Sequence, residues 1–139
     1  MDNKAINYLR TCKTIVVYGF SKNPEKLASS IPIFMKSQGY NVIGINPQKF
    51  EVEGIPVYNK LDEVPESIEI LNVFRPSEHC IEVVKEAIER RKTRGDIKVI
   101  WLQKDIINDE AKKLAEANGI DFIQDTCIFN TYGLLKKMG

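Results

Sequence analysis

TIVVYGFSKNPEKLASS, Thr14 to Ser30, passes from an apolar, β-branched run to a glycine, then to a polar turn, then to a helical pattern. The apolar run stops at Gly19, and Ser21, Asn23, Pro24 and Lys26 make the turn. Strand, glycine turn and helix in that order form a phosphate-binding corner, because the first N–H groups of a helix face the turn without backbone partners. The G-x-G-x-x-G pattern of dinucleotide corners is missing, since Gly19 is the only one of its glycines present. A phosphate-bearing ligand is expected, and the usual dinucleotide is disfavoured.

Outward from that corner, short apolar strands alternate with amphipathic helices. Asn3 to Arg10 reads as an opening helix, and Thr14 to Tyr18 as the first strand. A helix capped by Ser29 or Ser30 follows, with Pro32 in its first turn and Gly39 at its end. Asn41 to Ile45 is the second strand, broken by Asn46-Pro47, and Lys49 to Val64 is a long connection. That connection holds a brief extended piece at Pro56-Val57-Tyr58 and one helical turn at Leu61 to Val64. Ile68 to Phe74 contains the third strand, and Ser77 caps a helix with Ile81, Val84 and Ile88 at helical spacing. Ile97 to Leu102 is the fourth strand. Asn108 or Asp109 caps a helix through Asn118, Ile120 to Ile123 is the fifth strand, and Phe129 to Leu135 forms a final helical turn.

Five strands separated by helices, without two-residue hairpin signals, predict an α/β fold. It is a single-domain, doubly wound parallel sheet over residues 1–139, covered on both faces. The right-handed crossover rule favours the order 3-2-1-4-5. In such a sheet a ligand lies outside the carboxyl ends of the strands, beside the switch between the first and fourth. The loops GFSKNPEK, NPQK, FRPS and LQKD end there.

Those loops carry chemistry suited to phosphate. Gly19 lets the backbone approach a ligand, so a valine there is expected to remove binding with the fold intact. The N–H groups that follow and the Ser21 hydroxyl can donate, and Lys26 adds a point charge. The second strand ends in Asn46-Pro47-Gln48-Lys49, where an NAD-binding domain has an acid for the ribose. Asn46 can orient a ribose or turn the backbone, and Lys49 can attract a ribose phosphate. Arg75, held extended before Pro76, is placed for a bidentate phosphate contact, or for an ion pair with Glu78 or Glu82. Trp101 can stack on a ligand or fill the core, the more frequent role inside an apolar strand, and Gln103 is the better ligand contact.

No catalytic centre emerges, so the chain is expected not to be an enzyme. His79 is the only histidine and has no cysteine or serine partner at a telling spacing. Arg90, Arg91, Lys92 and Arg94 read as a solvated helix end favoured by the helix dipole. A net charge of +1 gives no field for nucleic acid or an anionic membrane, and no apolar run reaches the length of a membrane span. Three widely spaced cysteines, Cys12, Cys80 and Cys127, fit a reduced cytoplasmic protein without structural zinc or disulfide. Cys127 is expected to be a buried, inert thiol.

The stretch GFSKNPEKLASSIPIFMKSQGYNVIGINPQKFEVEGIPVYNKLDEVPESIEILNVFRPSE resembles the small CoA-binding proteins with a stand-alone Rossmann-like domain. VIWLQKDIINDEAKKLAEANGIDFIQDTCI continues the resemblance to nearly the end of the chain. The same domain type forms the CoA-binding part of the succinyl-CoA synthetase alpha subunit. The resemblance implies that Gly19, Phe20, Ser21 and Lys26 hold the diphosphate region. It implies that Asn46, Pro47 and Lys49 flank the adenosine, and that Phe74, Arg75 and Gln103 line the cleft. Departures are Phe20 in place of a frequent alanine, Pro76 directly after Arg75, and Lys104-Asp105 where many relatives have a glycine. The expectation is a cytoplasmic protein that binds coenzyme A or an acyl-CoA through its nucleotide end, without chemistry of its own. An unidentified partner enzyme is compatible with it. The alternatives are an NAD(P)-binding oxidoreductase and a regulatory interaction subunit of the same fold.

Overall fold

A computed structural model of the chain describes residues 3–138. Residues 1, 2 and 139, the ends of the expected unit, lie outside the described residues. The strands are β1 (Thr14–Tyr18), β2 (Asn41–Ile45), β3 (Val57–Tyr58), β4 (Ile70–Val73), β5 (Val99–Leu102) and β6 (Asp121–Ile123). The helices are α1 (Asn3–Thr11), α2 (Leu27–Ser37), α3 (Cys80–Arg94), α4 (Asp109–Ala117) and α5 (Ile128–Lys137). All strand pairs are parallel, in the order β3-β2-β1-β4-β5-β6.

The sheet therefore has six strands where five were expected, and the expected order is corrected with it. Val57–Tyr58 pairs with Gly44 and Ile45 and takes the outer place beside β2. The strand at Ile70–Val73 instead crosses back and pairs with β1, Ile15 opposite Ile70. A strand of two residues shows no alternation, and Pro56 before it lacks an N–H, yet its carbonyl accepts from Gly44 N at 2.9 Å. The switch point thus lies between β1 and β4, not between β1 and the strand at Val99–Leu102.

Each central strand is buried on both faces, which is why it reads as a nearly continuous apolar run. Ile15 and Val17 of β1 pack with Ile31 and Met35 of α2, Ala5 and Leu9 of α1 and Ile128 of α5. Val16 packs on the other face with Val84 and Ala87 of α3 and Ala111 and Ala115 of α4. Trp101 is fully buried and donates from Nε1 to the Thr126 carbonyl at 2.8 Å, as a core tryptophan should. Asn108 caps α4 as expected, its Oδ1 accepting from Ala111 N at 2.9 Å. The tail forms a ten-residue helix, longer than the single turn expected.

Two local expectations change. Helix α2 begins at Leu27, ahead of both serines, and Lys26 stands at its cap with extended backbone and no side-chain hydrogen bond. Ser29 is buried and its hydroxyl has no partner among the described residues. Pro32 consequently lies inside the helix and not in its first turn. Its missing N–H leaves the Ala28 carbonyl one turn back without its helical donor, and Ser21 N donates to that carbonyl at 3.2 Å.

The arginines near the end of α3 are not simply solvated. Arg90 is buried, pairs with Asp96 at 2.9 Å, and donates to the carbonyls of Leu61, Val64 and Glu66. Arg91 donates to Asp96 O and Ile97 O, and Arg94 to Val64 O and Asp62 O. The guanidinium forks supply donors to a connection that has little backbone ladder of its own.

Candidate functional site: a cleft with a polar and an apolar half

At the carboxyl ends of β1, β2 and β4 lies a cavity of about 760 Å³. Gly19 forms its floor at φ +94°, with N–H donated to Ile45 O at 2.9 Å. A Cβ on Gly19 would stand 2.8 Å from the Phe74 carbonyl oxygen and 3.3 Å from Arg75 Cδ. The glycine is required by the approach of two chain segments as well as by its φ. Ser21 Oγ accepts from Asn23 N at 3.1 Å, which leaves its hydroxyl proton available.

Asn46 acts as a clamp. Its Nδ2 donates to Phe20 O at 2.8 Å and its Oδ1 accepts from Gln48 N at 2.8 Å. Asn59 Nδ2 in turn donates to Asn46 O at 3.0 Å and Pro47 O at 2.9 Å. The glycine turn and the loop after β2 are thereby fastened to each other.

The cavity carries charges of both signs. Lys26 and Arg75 line it, and α3 adds Lys85 with Glu82, Glu86 and Glu89. Glu86 accepts from the Tyr18 hydroxyl and, at 2.8 Å, from Leu61 N. Burial and that carboxylate push the Tyr18 phenol well above its usual range. Glu82 is 3.6 Å from Lys85. No carboxylate pairs with Arg75 among the described residues, so neither Glu78 nor Glu82 occupies it.

A second cavity, of about 860 Å³, adjoins the first and shares Ala28, Phe74 and Arg75 with it. It lies between α2 and α5 under the loops after β5 and β6, and Leu27, Ile31, Phe34, Ile106 and Phe129 give it an apolar wall. Half-buried Cys127 and buried Gln103 also line it. Gln103 Oε1 accepts from Ile128 N at 2.9 Å and from Asn72 Nδ2 at 3.3 Å, so it fixes the start of α5. Asp105 has φ +71° and donates its N–H to Asp125 Oδ1 at 2.7 Å. Asp105 thus holds a left-handed turn that a glycine would adopt without strain.

The model of the CoA binding domain family matches residues 13–132. The chain belongs to that family. It is 32% identical over 128 residues to YneT of Bacillus subtilis (strain 168), itself uncharacterised, covering 92% of this chain and 91% of YneT. Cell-free ID.343 from Thermus thermophilus has a similar structure, with TM-score 0.87 and 30% identity over 97% of this chain and 99% of its own. A hypothetical protein from Pyrococcus horikoshii OT3 superposes with TM-score 0.88 and 28% identity, over 98% of this chain and 92% of its own.

Of the residues expected in a CoA site, Gly19, Ser21, Lys26, Asn46, Pro47, Phe74 and Arg75 line the polar cavity. Gln103 lines the apolar one, with its side-chain oxygen already engaged. Phe20 does not face the cleft: its ring is fully buried, packs against Phe50 at 5.7 Å, and fills the space a Cβ on Gly44 would need. Lys49 is exposed and lines neither cavity. Cys127 is half-buried on a cavity wall, more open than the buried thiol expected. The apolar half of the cleft, and Asn59, were not read from the sequence. For the apolar half the sequence offers a Phe in each of two helices, Phe34 and Phe129, whose pairing it does not reveal.

Proposed function

We propose that the protein binds coenzyme A or an acyl-CoA. The observation that carries this reading is the junction of a polar cavity with an apolar one through Phe74 and Arg75. Coenzyme A has the same polarity: a phosphorylated nucleotide at one end and a flexible arm ending in a thiol at the other. Its diphosphate fits beside the start of α2, where Lys26, Arg75 and Ser21 line the same cavity and supply two cations and a hydroxyl donor. Its arm then crosses Phe74 into the apolar half. Family membership over residues 13–132 supports the same ligand.

An NAD(P)-binding role fits less well. Asn46 stands where a ribose-binding acid belongs, and its side chain is spent on Phe20 and Gln48. We read the protein as a carrier or sensor without chemistry of its own, since the carboxylates facing the polar cavity include Glu86 and Glu82, already engaged with Tyr18 and Lys85. Free thiols at Cys12, Cys80 and Cys127 suit a reducing compartment such as the cytoplasm. Calorimetric titration with CoA, NAD and NADP tests the reading. CoA should bind and NAD should not bind comparably, whereas tight NAD binding without CoA heat would overturn it.

A further inference from the structure

We propose that the apolar half of the cleft holds the acyl chain of an unbranched acyl-CoA, and that Phe129 sets the chain length admitted. This rests on the CoA reading above and adds the class of thioester to it. Single exposed apolar side chains are ordinary on a protein surface. Here two large ones line one chamber from opposite helices, Leu27 at its lip with 67% exposure and Phe129 with 44%. Ile31, Phe34, Phe74 and Ile106 continue the same wall inward. Pockets of roughly 300–1,000 Å³ enclose a drug-sized ligand, so a chamber of about 860 Å³ has room beyond the end of a pantetheine arm.

The chamber has a partition. Phe34 of α2 and Phe129 of α5 meet edge to face with ring centres 4.9 Å apart. On their far side a further groove of about 420 Å³ runs between the same helices, and it shares Phe34, Phe129 and Asn130 with the chamber. Phe34 is also braced by Tyr132 at 5.9 Å, whereas Phe34 is the one aromatic neighbour of Phe129 among the described residues. Phe129 is therefore the movable half of the partition, and truncating it joins the chamber to the groove. An acyl chain entering past Phe74 meets this ring at its end.

Calorimetry with free CoA and with acetyl-, butyryl-, hexanoyl-, octanoyl- and dodecanoyl-CoA tests the proposal. Affinity should rise roughly twofold to fourfold per methylene until the chain reaches the partition, and then level off. Phe129→Ala should carry the rise into the longer chains, increasing the ratio of dodecanoyl- to hexanoyl-CoA affinity by roughly tenfold or more. Leu27→Ser, at an exposed position that leaves the core untouched, should lower the ratio of octanoyl- to free-CoA affinity by about threefold or more. A series flat to within about twofold of free CoA overturns the acyl proposal and leaves the CoA reading standing. A flat series with a dimer, seen by sedimentation and dissociated by Leu27→Ser, overturns it in favour of a second copy covering the lips. A rising series with the same length profile in Phe129→Ala overturns the role of that ring. Failure of every ligand, free CoA included, overturns the CoA reading itself.

Discussion

The carbonyl oxygen of Phe74 stands 2.8 Å from the point that a Cβ on Gly19 would occupy. The contact is with backbone at the end of a central strand, which cannot swing aside. Gly19 also has φ +94°, a conformation that L side chains resist. Gly19→Ala should therefore lose about 1–3 kcal/mol of stability in urea denaturation as well as ligand affinity. The valine substitution that the sequence alone recommends as a clean test of binding is not clean. A Gly19→Ala protein as stable as the parent would show that the β1 and β4 ends separate more easily than their packing indicates.

Arg75 and Lys49 should part company in binding. Arg75 lines both halves of the cleft and has no carboxylate partner among the described residues. Arg75→Ala should weaken CoA binding by about 1.5–3 kcal/mol, the range for a hydrogen bond to a charged group. Lys49→Ala, at a position outside both cavities, should change affinity by less than about threefold. Titration of the two variants with CoA decides the matter, and the reverse ranking would place the phosphates over the loop after β2.

The buried pair Arg90–Asp96 should be costly to halve. Arg90 also holds three loop carbonyls, and Asp96 Oδ2 accepts from Ile68 N at 2.9 Å. Asp96→Ala leaves a guanidinium buried without its counter-charge, and about 3–5 kcal/mol of stability should go with it. Chemical denaturation monitored through Trp101 measures this directly.

Acid should act through Glu69. Burial alone would raise its carboxyl, but the Lys13 and Thr14 N–H groups, with Lys98, outweigh burial and hold it below its usual value. A group lowered on folding contributes stability above its unfolded pKa of about 4.3 and loses it as pH falls through the folded value. Between those two values stability should climb with pH, and Glu69→Gln should flatten that climb. Stability curves for parent and variant below about pH 4.5 provide the comparison; an unchanged slope would assign acid sensitivity to other groups such as Asp121, which is lowered with Lys4 and Tyr8 as its partners.

The periodicities that mark strands and helices were legible because both sheet faces are buried and the helices are amphipathic. Val57–Tyr58 was legible only as a brief extended piece, since two residues cannot show a period, and the missing strand displaced the order of those around it. Gly19, Lys26 and Arg75 were legible as neighbours at the carboxyl ends of the strands, and one cavity there is lined by all three. Phe20 and Lys49 line neither cavity, and for Phe20 the reason is distant in sequence, since its ring fills the space beside Gly44. Arg90 looked like a surface charge until the carbonyls of residues 61–66 were brought against it. The apolar half of the cleft depends on α2 meeting α5, which no local pattern encodes.

Pro32 has a consequence for the thermodynamics of association. By withholding one N–H it lends the Ala28 carbonyl to Ser21, so the turn beside the polar cavity is already immobilised by a bond the helix would otherwise keep. A loop ordered in advance does not lose conformational entropy when a ligand arrives, and that saving appears in the affinity. Replacing the proline by alanine would give the carbonyl back to its own helix, and the loss would register as a less favourable binding entropy with the contacts to the ligand unchanged.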